Sequence, residues 1–163
     1  MSLPPLVRYG TSAEYRQHYE RVYCRGNIRT PDEIRVYFDA KKFDHAFYES
    51  VGRDGQKDTF SEVRAQRIDW IQATLTHPGA TLFQGWDKTA GQVDVTRRVA
   101  VIYEDFVVVI ALSLTRDSVL KANFITCYQA DSSIGKIRSS PTWSHEECVR
   151  SLIKAKQQTK KGR

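Results

Sequence analysis

The sequence predicts an α+β fold, with N-terminal helices packed on a four-stranded antiparallel β-meander and a C-terminal helix. Three observations predict it. Apolar residues recur at a helical spacing of about 3.6 as far as Thr76, and at a strand spacing of about 2 from Thr81 to Tyr128. The connections within the second half are short and rich in turn residues. Helices first and strands afterwards place the helices on one face of the sheet.

Each element follows in order. Ser12 and Glu14 open a helix in which Tyr15, Tyr19, Val22 and Tyr23 recur at helical spacing, and Gly26 is placed to end it. Ile34 to Phe38 alternates as a short strand, and Asp39 can cap a helix through Phe43, Ala46 and Phe47 to about Ser50. Gly52 to Asp58 is a polar loop. Thr59 or Ser61 caps the clearest helix, which runs to Thr76 and stops at the turn His77-Pro78-Gly79. Four strands are expected: Thr81 to Phe83, Val93 to Tyr103, Phe106 to Leu114, and Asn123 to Tyr128. Asp131 to Pro141 is rich in Ser and Gly and reads as a linker, and Ser144 with Glu147 forms a capping box that opens the last helix. Residues 1–130 thus form one α+β domain, and residues 131–163 a linker with a basic helix and tail.

A chain of 163 residues suits a single core, because that length buries roughly 70% of its unfolded surface. The longest apolar run, Phe106 to Leu112, is far short of the ~20 residues of a spanning helix, and the start shows no basic segment followed by an apolar core. The expectation is a cytoplasmic protein with no membrane association. The net charge of +6 is concentrated at the C-terminus, where Lys154, Lys156, Lys160, Lys161 and Arg163 carry five of the six charges. An anionic partner must therefore be met by local clusters, with the tail adding to the attraction. Cys24, Cys127 and Cys148 show no C-x-x-C pair and read as reduced structural thiols. No His/Asp/Glu cluster has metal-ligand spacing, so neither metal nor cofactor is expected.

On the long helix, Trp70, Val63, Phe60, Ile71, Leu75 and Ile68 cover an arc of roughly 160° at ~100° per residue. Arg64 and Arg67 fall inside that arc. Guanidiniums at core-facing positions must snorkel or meet a carboxylate or phosphate, and Arg is shaped for bidentate phosphate contact. The alternative is structural pairing with Asp44, Glu49 or Asp69. His45 lies in the segment Lys41-Lys42-Phe43-Asp44-His45 and can exchange a proton near neutral pH. On the last strand, Phe124, Thr126 and Tyr128 share one face if alternation is strict. Arg97 and Arg98 form a second basic pair on the strand starting at Val93.

The segments FDHAFYE and FSEVRAQRIDWIQATLTHP, the four-strand meander and the closing NFITCY together resemble the phage- and plasmid-associated branch of the barnase–EndoU–colicin–RelE-like ribonuclease superfamily. The resemblance spans about residues 34–129. It implies a toxin-like, metal-independent RNA endonuclease, in which a 2′-hydroxyl attacks the adjacent phosphate and leaves a cyclic phosphate. It also implies a cognate inhibitor protein as partner. By position it makes His45 the proton-transfer histidine, Arg64 the phosphate contact, and Thr126 and Tyr128 the T-x-Y of the last strand. Arg67, Arg97 and Lys121 then bind substrate, and Tyr128 or Lys121 stands where other members carry a second acid–base group. The other reading is a non-catalytic nucleic-acid-binding or protein-interaction module of a mobile element.

Overall fold

In a computed structural model of the protein, residues 3–50, 59–87, 89–131 and 133–161 are described. The predicted loop at 52–58 lies outside them. The chain begins with α1 (Ser12–Tyr19), which continues as a π-helical turn, Glu20–Cys24. The Thr11 hydroxyl caps α1 by accepting from the Glu14 amide. Tyr15, Tyr19 and Tyr23 are almost wholly buried, and each phenol meets the polar partner that burial demands. Tyr15 donates to the Val7 carbonyl and Tyr19 to that of Asp39, while Tyr23 donates to the Ile68 carbonyl and accepts from the Gln72 amide.

Next come β1 (Ile28–Arg29), β2 (Arg35–Tyr37), α2 (Lys42–Phe47), β3 (Tyr48–Glu49) and β4 (Thr59–Phe60). Asp39 does not cap α2 from the N-cap position; its carboxylate accepts from the Lys41 amide just before the helix. The predicted long helix is two helices, α3 (Glu62–Ala65) and α4 (Ile68–Thr76), with Arg67 as the non-helical N-cap of α4. The break shifts the helical phase, so Ile68, Ile71 and Leu75 are buried as expected but Val63 is 64% exposed. After β5 (Thr81–Phe83), the expected strand from Val93 to Tyr103 is also divided: β6 (Gly85–Asp87) pairs with β7 (Gln92–Asp94) as a separate hairpin, and β8 (Val99–Tyr103) joins the main sheet. β9 (Phe106–Leu114) and β10 (Leu120–Gln129) follow. The expected linker contains α5 (Ile134–Arg138), and α6 (His145–Lys161) ends the described chain.

The fold is α+β, but the sheet is not a four-stranded antiparallel meander. It has six strands in the order β1-β2-β10-β9-β8-β5, and the β2–β10 pairing is parallel. The run from β8 to β10 is a local antiparallel meander, whereas β1 and β2 reach the other edge of β10 from far away in sequence. Periodicity marks strands and is blind to such distant pairings. The helical face of the sheet buries Val36, Val99, Val101, Val108, Ile110, Ala122, Phe124 and Cys127 against the tyrosines of α1 and the apolar side of α4. Cys148, Val149 and Leu152 of α6 join the same core. The opposite face carries a smaller cluster, Phe83, Ala100, Ile102, Val107 and Val109, under Ile134 and Ile137 of α5. Among the described residues no helix is long and apolar enough to cross a membrane.

β10 is irregular at one point that governs the site. Phe124 pairs with Ile110 and Thr126 with Val109, so Ile125 is a bulge. The extra residue reverses the alternation. Phe124 and Cys127 face the helices, while Thr126 and Tyr128 share the opposite face. The expectation that Phe124, Thr126 and Tyr128 line one face is therefore corrected.

Candidate active site

A cleft of about 410 Å³ opens between the start of α3 and the end of β10, lined by Glu49, Ser61, Val63, Arg64, Arg67, Phe106, Cys127, Tyr128, Gln129 and Asp131. Local structure positions each polar group. The Ser61 amide donates to the Phe47 carbonyl, and its hydroxyl caps α3 by accepting from the Arg64 amide, which fixes the root of the Arg64 side chain. Arg64 Nε lies 3.1 Å from Glu49 Oε1. This is one of the carboxylate partners the sequence offers, and it leaves the ion pair at the mouth of the cleft with both side chains partly exposed.

Arg67 is held differently. Its Nη1 donates to the Val63 carbonyl at 2.6 Å, and its guanidinium carbon lies 5.0 Å from the Trp70 ring centroid. Its Nε is buried and, among the described residues, meets no acceptor. A buried charged donor without a partner is costly, so this atom is the clearest unmet polar demand in the cleft. The cleft thus gathers two guanidiniums, two carboxylates (Glu49 and Asp131) and a hydroxyl, with Tyr128 of β10 at its border.

Protonation favours hydrogen-bond donation. Burial pushes the Cys127 thiol up to about 12, with the nearby Arg64 guanidinium pulling the other way, so it is a neutral core thiol. Burial also raises the Tyr128 phenol, against a downward pull from Arg98. Tyr128 is therefore neutral at physiological pH and can give a proton but not take one.

Tyr128 borders a second cleft, about 450 Å³, on the other side of the sheet, with Trp86, Arg98, Lys136, Ser139 and Ser140. Arg98 is held there by backbone geometry. Its φ is 51°, in the left-handed region, and it packs against Gly85, where a Cβ would come within 2.2 Å of the Arg97 carbonyl oxygen and 2.3 Å of that of Arg98.

The structure brings Arg64, Arg67 and Tyr128 together in the first cleft. His45 is half-buried in the last turn of α2, outside the residues that line either cleft. Thr126 is buried on the Tyr128 side of the sheet and lines neither. Arg97 is exposed in the turn before β8, where its amide donates to Asp94. Lys121 lies near the opposite end of β10. Sequence reasoning offers Glu49 only as a structural partner and does not single out Ser61 or Asp131 as site residues. Ser61 has a signal as a helix cap, whereas Glu49 and Asp131 are unremarkable until the strands pair. His18 is also tied in unexpectedly: Nδ1 bonds the Tyr9 phenol and Nε2 bonds Asp69, both at 2.8 Å, joining the N-terminal segment to α4. Among the described residues no three His, Cys, Asp or Glu side chains group as a metal site. No protein-family model, curated protein or solved structure matches the chain.

Proposed function

We propose that the protein is an endoribonuclease that cleaves RNA by 2′-hydroxyl attack on the adjacent phosphate, with that phosphate held by Arg64 and Arg67. The observation that carries this reading is the buried, unpartnered Nε of Arg67, a residue that lines one cleft together with Arg64. Two guanidiniums present a forked array of donors suited to phosphate oxygens and to the charge that develops on them during displacement. The Glu49 carboxylate is suited to accept the 2′-hydroxyl proton, and the departing 5′-oxygen takes its proton from water. The oxygen–phosphorus bond to the 5′-oxygen breaks as the 2′-oxygen bond forms, leaving a 2′,3′-cyclic phosphate. The resemblance of FDHAFYE and NFITCY to the ribonuclease superfamily supports the same chemistry and assigns the proton-transfer role to His45.

The position of His45 outside the cleft favours a second reading, an RNA-binding module without cleavage. One experiment separates them. Purified protein is incubated with single-stranded RNA in excess chelator, and products are examined for cyclic-phosphate ends. Wild type should cleave, and Arg64→Ala should lose most of that activity. Glu49→Gln and His45→Ala compare the two proton-acceptor assignments, since only loss of the true acceptor costs the ~10²–10⁴-fold typical of general-base catalysis while RNA binding survives. No cleavage by wild type with RNA binding intact would overturn the enzyme reading in favour of the binding module.

A further inference from the structure

Across the sheet, three polar side chains on β2, β10 and β9 stand in one transverse row, which Arg29 on β1 continues beyond Arg35. Lys121 on β10 is paired in register with Arg35 on β2 and with Ser113 on β9. Their neighbours Val36, Ala122 and Leu112 enter the helical core, so alternation turns the row to the other face. At roughly 5 Å between strands the row spans about 10 Å.

The charge of the row is uncompensated. Arg35 and Lys121 are like charges on directly opposed residues, an arrangement that destabilises a sheet. Both lean on one ring: the Arg35 guanidinium carbon lies 4.7 Å and the Lys121 ammonium nitrogen 5.7 Å from the Tyr37 centroid. Tyr37 itself is 40% exposed. Attraction to an exposed ring offsets only part of the repulsion between the cations. Among the described residues neither cation pairs with a carboxylate, and the six strands of the sheet contain no Asp or Glu. At the end of the row, Ser113 Oγ is buried without a hydrogen-bond partner. A guanidinium, an ammonium and an unsatisfied hydroxyl in line supply donors and positive charge, the complement of an oxyanion.

We propose that Arg35, Lys121 and Ser113 form a second phosphate subsite, which binds a backbone phosphodiester of a single-stranded RNA away from the bond held between Arg64 and Arg67. The identity of the polyanion rests on the endoribonuclease reading; the anion site itself rests on the row. The two sites lie toward opposite ends of β10, with Lys121 and Tyr128 roughly 20 Å apart along the strand. They therefore contact different phosphates of one strand, and the remote contact contributes affinity without touching the reacting atoms.

The test compares wild type with Arg35→Gln/Lys121→Gln and with Ser113→Ala. Binding of a 2′-O-methyl RNA oligonucleotide, which resists cleavage, is measured against salt. The double variant should lower the slope of log affinity against log salt by about 0.7, the value for the one phosphate that is no longer neutralised. Its melting temperature should not fall, because a like-charge pair is removed. Ser113→Ala should weaken binding several-fold with no loss of thermal stability. On cleavable RNA the double variant should raise KM and leave kcat unchanged. An unchanged salt slope overturns the subsite whether or not the protein cleaves RNA. A lowered slope in a protein that cleaves nothing upholds the subsite and overturns the nuclease reading alone. Inorganic phosphate at matched ionic strength should displace the oligonucleotide no better than chloride; selective displacement would make this a free-phosphate site and overturn the RNA assignment.

Discussion

Arg67→Met separates the cost of Arg67 in the free protein from its use with a ligand. Methionine is unbranched and can keep the packing against Trp70. The variant removes a buried Nε without a partner, a relief of about 1–3 kcal/mol. It also loses the stacking of the guanidinium on Trp70, about 0.5–1 kcal/mol at such a site. The Nη1 bond to the Val63 carbonyl goes as well, and because Val63 is exposed that carbonyl can be rehydrated, which limits the loss to about 0.5–1.5 kcal/mol. The opposing contributions nearly cancel. Arg67→Met should therefore melt within about 4 °C of wild type, since about 1 kcal/mol moves a domain of this size by roughly 2–4 °C. With RNA the balance is one-sided. Removing a charge-assisted hydrogen bond to phosphate costs about 1.5–3 kcal/mol, or roughly 10- to 150-fold in kcat/KM. Arg67→Lys should recover little of that rate, because an ammonium cannot reproduce the fork. Scanning calorimetry and cleavage of a fluorogenic RNA measure the two sides. A fall of more than about 10 °C, or an unchanged kcat/KM, would refute the idea that Arg67 is kept for a ligand.

Three further outcomes follow from the same geometry. The Tyr128 phenol lies above its ordinary value, so the stability its neutral form contributes is present below about pH 10 and is lost as pH rises through the folded-state pKa; Tyr128→Phe should be less alkali-sensitive, Arg98→Gln should raise the phenol further in a 295 nm titration, and a Tyr128 transition below pH 10 would contradict both. Burial holds the Cys127 thiol at about 12 and Cys148 at about 11, so at pH 8 both should resist a thiol reagent until the protein unfolds, with half-buried Cys24 reacting first; early modification of Cys127 would show that the core opens readily. Deleting residues 154–163 should flatten the salt dependence of RNA binding through the removal of five cations, and equal slopes with and without the segment would show that it does not touch the nucleic acid.

What is legible in the sequence is local. The buried positions of the first helix, the apolar side of α4, the turn at His77 and the strands β9 and β10 all follow from periodicity and turn chemistry, because each depends on neighbours a few residues away. The parallel placement of β2 beside β10 depends on residues more than eighty positions apart and leaves no periodic trace. The same holds at the site. The helical arc draws attention to Arg64 and Arg67 as cations on a side that should be apolar, and both line the cleft. Glu49 is legible as a partner for Arg64, but its place beside Tyr128 and Asp131 depends on how α3 meets the end of β10.

The bulge at Ile125 links the local and the distant. Strict alternation from Phe124 would turn Thr126 and Tyr128 into the helical core and Cys127 outward, placing a phenol where the core needs a small apolar group. One extra residue exchanges these positions: Cys127 packs with Phe124, and Tyr128 moves to the side where Arg98 stands. N-terminal to the bulge, alternation is undisturbed, so Lys121 and Asn123 share the outward face with Arg35 and Tyr37. A single β10 therefore carries two registers. One sets cations and amides on an open sheet surface; the other closes the strand against α3 and forms the guanidinium cleft. A strand without the bulge would align Lys121, Asn123 and Cys127 on the open face and withdraw Tyr128 from it, so the two candidate phosphate contacts are joined to one scaffold by the irregularity that a period-2 reading smooths away.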